Sequence, residues 1–252
     1  MSRMIAPSAK ARLFVSDELA AGISIQPSQE QRHYLLNVMR CRDGDMVLVF
    51  NGRDGEWQAM IQRQGKRECQ LVMQQATRQQ IASPDLWLLF APVKKARLDF
   101  IAQKASEMGC RRIWPVRTDH CQVSRVNDDR MLANAIEAAE QTERLDIAEI
   151  MPFTDLAAAL DSCETDRHII FCDEASAGDA DSKIIRVLSD AAPIVRAAII
   201  IGPEGGFSNA ERVMISARQN SLKLSLGPRI LRADTAAIAA LACFQSVCGD
   251  WA

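Results

Sequence analysis

From residue 84 onward, short apolar runs alternate with helical stretches, and this alternation constrains the fold more than any other feature of the sequence. Strands are predicted at residues 86–91, 112–116, 168–172, 197–201 and 223–226. Helices are predicted between and after them, at residues 95–109, 129–144, 208–219 and 234–248. Strands that alternate with helices form a mainly parallel sheet covered by helices. We therefore expect an α/β domain over residues 84–252.

The first 78 residues have a different pattern, which predicts a small β domain. Residues 12–15 and 46–50 are rich in β-forming side chains, and the turn residues after Phe50 precede an alternating run at 56–61, which indicates a hairpin. Ser28 and Gln31 have the spacing of a capping box, so one helix is expected to interrupt the sheet. The break between the two domains falls near residues 75–84.

A glycine-rich loop separates a predicted strand from a predicted helix at residues 198–211. The loop reads Gly202-Pro203-Glu204-Gly205-Gly206, and Ser208 and Glu211 follow with capping-box spacing. Such loops often bind nucleotides at the carboxyl edge of a parallel sheet. The spacing matches neither a dinucleotide-binding fingerprint nor a phosphate-binding Walker loop. An ordinary strand-to-helix turn is an equal alternative for this loop on its own.

A second loop carries two arginines about twenty residues later. Gly227-Pro228 is followed by Arg229, Arg232 and then Asp234 and Thr235, which suit the start of an alanine-rich helix. Helix capping explains the acidic and hydroxyl residues well. It does not explain the arginines, because unpaired arginines gain little beside a chain reversal. The pair of arginines therefore points to a ligand.

Composition limits the remaining functions. The net charge is −2, but residues 1–80 hold 11 basic and 8 acidic side chains and residues 92–130 hold 9 and 5, whereas residues 131–192 hold 4 and 14. This asymmetry permits a basic face for nucleic acid on an acidic protein, and a mixed solvated surface is the alternative. The eight cysteines show no Cys-x-x-Cys spacing and the three histidines do not cluster, so no metal site is expected. Without a long apolar run or a secretory signal, a cytoplasmic protein is expected.

Taken together, the two loops resemble those of the RsmE-type enzymes of the SPOUT class, which methylate N3 of a uridine in 16S ribosomal RNA. That family combines a Gly-Pro-Glu-Gly-Gly loop with a Leu-Gly-x-Arg-Ile-Leu-Arg-x-Glu-Thr-Ala loop. Lys94-Lys95 with the segment 103–109, and the segment 139–144, are also similar to family motifs. Asp234 stands where the family usually has Glu, and Thr142 where Ser is common.

The resemblance implies a fold, a cofactor and partners. Residues 84–252 are expected to form a SPOUT α/β domain with a trefoil knot, and residues 1–78 a PUA-like RNA-binding β-barrel. The cofactor is expected to be S-adenosylmethionine, and the partners 16S ribosomal RNA in the decoding region of the small subunit or a late assembly intermediate, and a second copy through the knotted domain. The expected cofactor-binding residues come from three loops: Phe171, Cys172, Asp173, Ile201, Gly202, Pro203, Gly205, Gly206, Leu226, Gly227, Ile230 and Leu231.

The resemblance also assigns chemical roles. Arg232 is expected to stabilise negative charge that develops on the uracil, Arg229 to bind substrate or the cofactor carboxylate, and Glu204 to be one candidate proton acceptor beside Asp234. Basic residues are expected to contact RNA phosphates, namely Arg12, Arg32, Arg40, Arg42, Lys94, Lys95 and Arg97. The alternatives are methylation of another RNA atom, such as a ribose 2'-oxygen, and a non-catalytic RNA-binding assembly factor. A nucleotide hydrolase is remote, because the phosphate lysine and metal ligands are missing.

Overall fold

The computed structural model describes residues 9–65, 67–93, 95–173 and 182–251. The described residues form two compact units. One comprises those up to Ala82 together with Ala139–Ile147, and the other comprises Ser83–Ala138 and those from Ala148 onward. Lys94, residues 174–181 and the side chain of Lys95 lie outside the described part, and most of the loop expected at 176–182 lies there too. The domain limits at residues 78 and 84 stay a prediction.

The first unit contains a five-stranded sheet. Its strands are β1 (Arg12–Phe14), β2 (Ser24–Ile25), β3 (Met46–Phe50), β4 (Glu56–Arg63) and β5 (Cys69–Arg78). They lie in the order β1-β3-β4-β5-β2, and β3 and β4 form the antiparallel hairpin expected from the sequence. Val47, Val49, Ala59 and Ile61 alternate along these strands into one buried core.

One helix interrupts this sheet, as the sequence predicts. The helix α1 (Gln29–His33) begins at the capping box of Ser28 and Gln31, and a π-helical turn over Tyr34–Val38 continues it. Arg40 follows in the left-handed conformation with φ 52°. A non-glycine residue in that conformation is uncommon, so the chain reverses sharply here and presents an exposed arginine.

The remaining elements belong to the second unit, except that the last three residues of one helix, residues 139–141, belong to the first. The strands are β6 (Asp85–Phe90), β7 (Arg112–Arg117), β8 (Glu149–Ile150), β9 (Thr154–Asp155), β10 (His168–Cys172), β11 (Arg196–Ile201) and β12 (Ser221–Leu224). The helices are α2 (Lys95–Glu107), α3 (Asp128–Gln141), α4 (Leu156–Asp161), α5 (Ile184–Ala191), α6 (Asn209–Ser216) and α7 (Ala233–Val247). This alternation confirms the α/β class predicted from the sequence.

The sheet of the second unit is parallel and both of its faces are covered. Its order is β12-β10-β11-β6-β7-β8. Along β11, Ile199 packs into a core with α2, α5 and α7, whereas Ile200 packs into a second core with α4 and α6. Strands buried on both faces read as continuous apolar runs, which is why residues 197–201 and 86–90 are almost entirely apolar.

Two element boundaries differ from the sequence expectations. The helix expected at 129–144 ends at Gln141, because Glu143 adopts a left-handed conformation with φ 60° that cannot continue a helix. The strand expected at 223–226 lies at Ser221–Leu224, since Leu226 instead lines a pocket after the strand ends. Within the described residues, no helix is both long and apolar enough to cross a membrane.

Candidate active site

Three loops meet at the carboxyl edge of the parallel sheet, in the second unit. They follow β10, β11 and β12, which are neighbours in the sheet, so their ends converge. Between them lies an open pocket of about 570 Å³. The carboxyl edge is where open parallel sheets bind ligands. The pocket is lined by Cys172, Asp173, Ile201, Gly202, Pro203, Gly206, Phe207, Ser225, Leu226, Gly227, Arg229, Ile230, Leu231, Ala233 and Ala236.

The pocket includes most of the residues expected to bind the cofactor. Ten of the twelve line it, drawn from all three loops. Phe171 does not, because it is fully buried in the core, where its ring lies 5.1 Å from that of Phe207. Gly205 lines a neighbouring groove instead. The pocket residues that sequence reasoning missed are Phe207, Ser225, Ala233 and Ala236, which directly precede or follow the predicted loops.

The glycine loop after β11 has the backbone that its sequence requires. Gly206 has φ 66°, a conformation that side-chain-bearing residues rarely adopt. A Cβ atom at Gly202 would lie 2.8 Å from the Phe207 ring, so this position has no room for a side chain. The capping box predicted for α6 is also present, with Ser208 accepting from the Glu211 amide. The loop therefore lines the pocket mainly with backbone.

The sequence analysis did not predict that His120 contacts the glycine loop. His120 follows β7, and its Nδ1 lies 2.9 Å from the Gly205 carbonyl oxygen and 3.1 Å from that of Gly206. Carbonyl oxygens only accept, so Nδ1 carries the hydrogen and donates it. The one available signal was position, since residues just after a parallel strand lie at the carboxyl edge with the other loops.

The described residues at the end of β10, Cys172 and Asp173, present groups without free charge to the pocket. The Asp173 side chain is fully buried and is paired with Arg212, 3.2 Å away, and with Lys223, 3.3 Å away. Arg212 lies on α6, which follows β11, and Lys223 lies on β12 itself. Burial raises the pKa of the neighbouring Cys172 thiol to about 12, so the thiol is neutral near pH 7. This wall of the pocket thus carries a compensated carboxylate and a neutral sulfur.

The two arginines of the third loop are exposed, and within the described part of the chain they are unpaired. Neither Arg229 nor Arg232 has a side-chain hydrogen bond or ion pair with any residue that the structure describes. Arg229 lines the pocket. Arg232 lies at the start of α7, in the N-cap position, and does not line the pocket. The structure therefore brings one of the two predicted catalytic arginines to the pocket and leaves the other beside it.

Glu204 does not line the pocket but a neighbouring groove, and it pairs with Arg97. Arg97 Nη1 lies 2.9 Å from Glu204 Oε1, and its Nε lies 3.8 Å from Asp234 Oδ2. One guanidinium thus links the glycine loop to the start of α7. Arg97 was expected to contact RNA phosphate, and these two carboxylates already neutralise its charge. The Glu204 side chain remains 58% exposed, so water also reaches its carboxylate.

The arginines expected to bind RNA in the first unit divide into two groups. Arg12 is 9% exposed, and its guanidinium binds Glu56 and the carbonyl oxygens of Ala139 and Arg144, so it holds the unit together rather than meeting a phosphate. Burial lowers its pKa, against the opposing effect of Glu56. The others lie nearer solvent: Arg32 pairs with Glu68 at 3.4 Å, and Arg40 and Arg42 are exposed.

Comparison with known proteins identifies the class that this fold and pocket define. A family model for the RNA methyltransferase domain matches residues 81–245, and one for the RNA methyltransferase PUA domain matches residues 28–74. The first match covers more than half of the chain. The chain therefore belongs to the RNA methyltransferases with an N-terminal PUA domain.

The relatives narrow the class to one family. The ribosomal RNA small subunit methyltransferase E of Rickettsia conorii is 31% identical over 92% of this chain and 93% of its own length. That of Bacillus subtilis is 26% identical over 84% of this chain and 86% of its own length. The chain is a member of the ribosomal RNA small subunit methyltransferase E family.

Solved structures show the same fold. The Neisseria gonorrhoeae methyltransferase E bound to S-adenosylmethionine is 24% identical, covers 96% of this chain and 99% of its own, and superposes with a TM-score of 0.82. A Legionella pneumophila chain in complex with the same cofactor is 29% identical, covers 95% and 98%, and has a TM-score of 0.80. The expected fold class is confirmed.

Proposed function

We propose that this protein transfers a methyl group from S-adenosylmethionine to N3 of a uridine in the decoding region of 16S ribosomal RNA. The observation that carries the proposal is the carboxyl-edge pocket, in which three neighbouring loops of a small subunit methyltransferase E chain meet around an unpaired arginine. The proposal names substrate, cofactor and reaction, and each can be tested separately.

The pocket fits the cofactor in shape and charge. Gly202 and Gly206 line the pocket with backbone, against which a flat base and a ribose can pack closely. Among the described residues, the wall formed by Cys172 and Asp173 offers no free negative charge, and Arg229 on the opposite loop supplies a cation for the carboxylate of the cofactor. The residues that hold the cofactor are those of the three loops.

The reaction requires positioning more than covalent catalysis. When bound, the cofactor supplies a methyl group on a positive sulfonium, which a nucleophile displaces directly. The protein must hold the uracil in line and favour loss of the N3 proton. Arg232, exposed and without a partner among the described residues, is placed to stabilise the negative charge that the uracil gains. Glu204 is one proton acceptor that water can reach, and Arg97 pairs with its carboxylate.

The first unit and the basic residues at the start of α2 are proposed to hold the RNA. Arg40 and Arg42 are exposed on the loop that follows the π-helical turn and suit phosphate contacts. Lys94 and Lys95 precede or begin α2 in the sequence and extend the set. Arg97, which was also expected to contact phosphate, is instead paired with Glu204 and Asp234. Phosphate contacts fix the orientation of the RNA and leave the choice of nucleotide to the pocket. In this arrangement residues 1–78 bind RNA and residues 84–252 carry out the reaction.

Three further features are proposed from the family resemblance. The protein acts as a homodimer through its second domain, works on the small subunit or a late assembly intermediate in the cytoplasm, and needs no metal. Light scattering of the purified protein tests the first. Activity after treatment with a chelator tests the last, and the expected result is no change.

The experiment that tests the function is methyl transfer from labelled S-adenosylmethionine to small ribosomal subunits that lack the modification. The RNA is digested and its nucleosides are separated. Label in 3-methyluridine is the expected result. Label in a 2'-O-methylated nucleoside would favour methylation of ribose instead, and cofactor binding without transfer to any ribosomal RNA would favour a non-catalytic assembly factor.

A further inference from the structure

Two loops of the cofactor pocket come from strands that are not neighbours in the sheet. The glycine loop follows β11 and the third loop, residues 226–232, follows β12, with β10 between these two strands. Among the residues that the structure describes, no hydrogen bond or ion pair runs directly from residues 202–206 to residues 226–234. The spacing of the two loops, which sets the width of the pocket, therefore depends on contacts made through other elements.

Arg97 supplies such a contact from the first turn of α2. Its Nη1 donates to Glu204 Oε1 at 2.9 Å, and its Nε lies 3.8 Å from Asp234 Oδ2. Asp234 is also held through its other oxygen, because Oδ1 accepts from the Thr235 amide at 2.9 Å. One guanidinium thus spans from the glycine loop to the first turn of α7, which directly follows the third loop.

Both ends of this bridge lie beside residues of the pocket and of the reaction. On the glycine loop, Pro203 and Gly206 flank Glu204 and line the pocket. At the other end, Asp234 lies two residues after Arg232, which is the N-cap residue of α7. Two residues at the start of one helix move together, so a displacement of Asp234 also displaces Arg232. The bridge thus controls the glycine wall of the pocket and the place of one arginine.

Charge explains why an arginine is needed at this position. Without Arg97, the Glu204 and Asp234 carboxylates would repel each other, and the repulsion would separate the glycine loop from α7. The Arg97 and Asp234 side chains are only 35% and 18% exposed, so water screens their attraction only in part. A guanidinium presents its donors in a rigid fork and can serve two carboxylates at once, whereas an ammonium is a single point of charge.

We propose that Arg97 is a positioning residue for methyl transfer: its bridge holds the two loops at the spacing that binds S-adenosylmethionine and keeps Arg232 in place for the reaction. The statement about Arg232 rests on the proposed function, and the statement about loop spacing rests on cofactor binding alone. Arg97 does not line the pocket and acts through Glu204 and Asp234. A displacement of about 1 Å at a reacting group can lower a rate by about 10²-fold, so such indirect action is measurable.

The first test replaces Arg97 in two ways. Arg97→Gln removes the charge, and Arg97→Lys keeps the charge but loses the fork. We expect Arg97→Gln to raise the Kd of S-adenosylmethionine by about two- to fivefold, the effect of a partly exposed ion pair. The rate of a single turnover, with cofactor and ribosomal subunit both saturating, should fall by at least about tenfold. Arg97→Lys should resemble Arg97→Gln in both measurements, and the Kd of the subunit should stay within about twofold of wild type for both variants.

Arg218→Gln is the matched control. The Arg218 side chain is 33% exposed, close to the value for Arg97, and it pairs with Asp161 at 2.7 Å. It lies in the turn before β12, at the opposite edge of the sheet from the pocket. Both variants should lose a similar, small amount of stability in urea, and only Arg97→Gln should change the cofactor Kd and the rate. Equal changes in both variants would contradict the proposal.

The second test asks whether the bridge acts through Glu204. The Kd of S-adenosylmethionine is measured without RNA, so a role of Glu204 in proton transfer does not enter. Arg97→Gln and Glu204→Ala remove the same contact, so the double variant should raise the Kd no further than the larger of the two single effects. Effects that add in the double variant would show that the two residues act independently, and the bridge would be wrong.

The remaining outcomes separate the proposal from its alternatives. A wild-type Kd and a wild-type rate for Arg97→Gln would show that the bridge positions nothing. A raised Kd for the ribosomal subunit, with weaker salt dependence and an unchanged rate at saturation, would show that Arg97 binds phosphate instead. If wild type binds the cofactor but methylates no ribosomal RNA, the proposed function fails. The cofactor Kd of the variants still decides the proposal in that case, since a raised value supports the bridge and an unchanged value overturns it.

Discussion

The two edges of the parallel sheet use arginine in opposite ways. At the amino edge, Arg167 precedes β10 and is fully buried: it binds Asp85 Oδ2 at 3.0 Å and Glu164 Oε2 at 2.8 Å, and lies 3.5 Å from the centre of the Trp87 ring. At the carboxyl edge, Arg229 and Arg232 are exposed and unpaired among the described residues. A buried guanidinium must have partners, whereas an exposed one retains its donors for a ligand.

This difference indicates which arginines stabilise the fold and which are candidates for binding or catalysis. Arg167 serves stability, since nearly every donor it has is used within the protein. Arg12 in the first unit is used in the same way. Arginines without such partners, at the edge where strands end, are the functional candidates. The predictions below test this separation.

Replacement of Arg167 should have the largest effect on stability. Arg167→Met keeps an extended side chain over Trp87 but leaves the Asp85 carboxylate with the Trp87 indole N–H at 2.8 Å and with Arg196 at 3.5 Å. We expect the free energy of unfolding to fall by about 3 kcal/mol, the low end for a broken buried pair. Urea unfolding measures it, and Arg196→Met, at an exposed position, should cost less than about 1 kcal/mol. Equal effects of the two variants would remove the distinction between the edges.

The same pair predicts a pH dependence. Burial disfavours the charged form of Asp85, but the hydrogen bond and charge of Arg167 outweigh it, and the pKa of Asp85 is lowered. A lowered pKa in the folded state adds stability above the unfolded pKa of about 4, and this stability is lost as the pH falls below it. Between about pH 6 and about pH 3, wild type should therefore lose more stability than Arg167→Met. Parallel pH profiles of the two proteins would contradict the account.

At the carboxyl edge, Gly206→Ala should act on the cofactor. A side chain at φ 66° introduces strain of about 1–2 kcal/mol, and relief of that strain moves the loop that lines the pocket. We expect the Kd of S-adenosylmethionine to rise by about five- to thirtyfold, as measured by calorimetry. Gly22→Ala is the control, because Gly22 has φ 80° with open space around it and lies in the first unit. Gly22→Ala should leave the Kd of S-adenosylmethionine unchanged. A similar rise in the Kd for this variant would show that backbone strain far from the pocket weakens cofactor binding just as much.

A smaller effect is expected from the contact that holds the glycine loop. His120→Ala removes the donor to the Gly205 and Gly206 carbonyl oxygens, and should raise the Kd of the cofactor by about three- to tenfold. His120→Asn places an amide N–H near the position of Nδ1 and should recover most of the affinity. Failure of the asparagine to do better than alanine would show that the hydrogen bond itself does not support the loop.

The sequence predicted what depends on neighbouring residues. Both capping boxes, at Ser28 and at Ser208, start helices as expected, and the apolar runs became strands. Short elements such as α4 and β8 were not predicted, because so few residues show no periodicity. The knot was expected only from family resemblance.

Contacts between distant parts of the chain were outside the reach of sequence reasoning. His120 meets Gly205 across 85 positions, and Arg12 meets Ala139 across 127. No local pattern distinguishes these residues, because their partners are set by the order of the strands. Arg12 was for this reason expected on an RNA-binding surface, and its burial is visible only in the folded unit. Arg97 was likewise expected to meet phosphate rather than Glu204.

The most direct measurement of the central claim is the rate of a single turnover for Arg232→Ala, with S-adenosylmethionine and ribosomal subunit both saturating. Arg232 is exposed and does not line the pocket, so the variant should fold and bind cofactor as wild type does. The account predicts a rate about 10²- to 10³-fold lower, the effect of losing one group that stabilises developing charge. A rate equal to wild type would contradict the assignment of the carboxyl-edge arginines to the reaction.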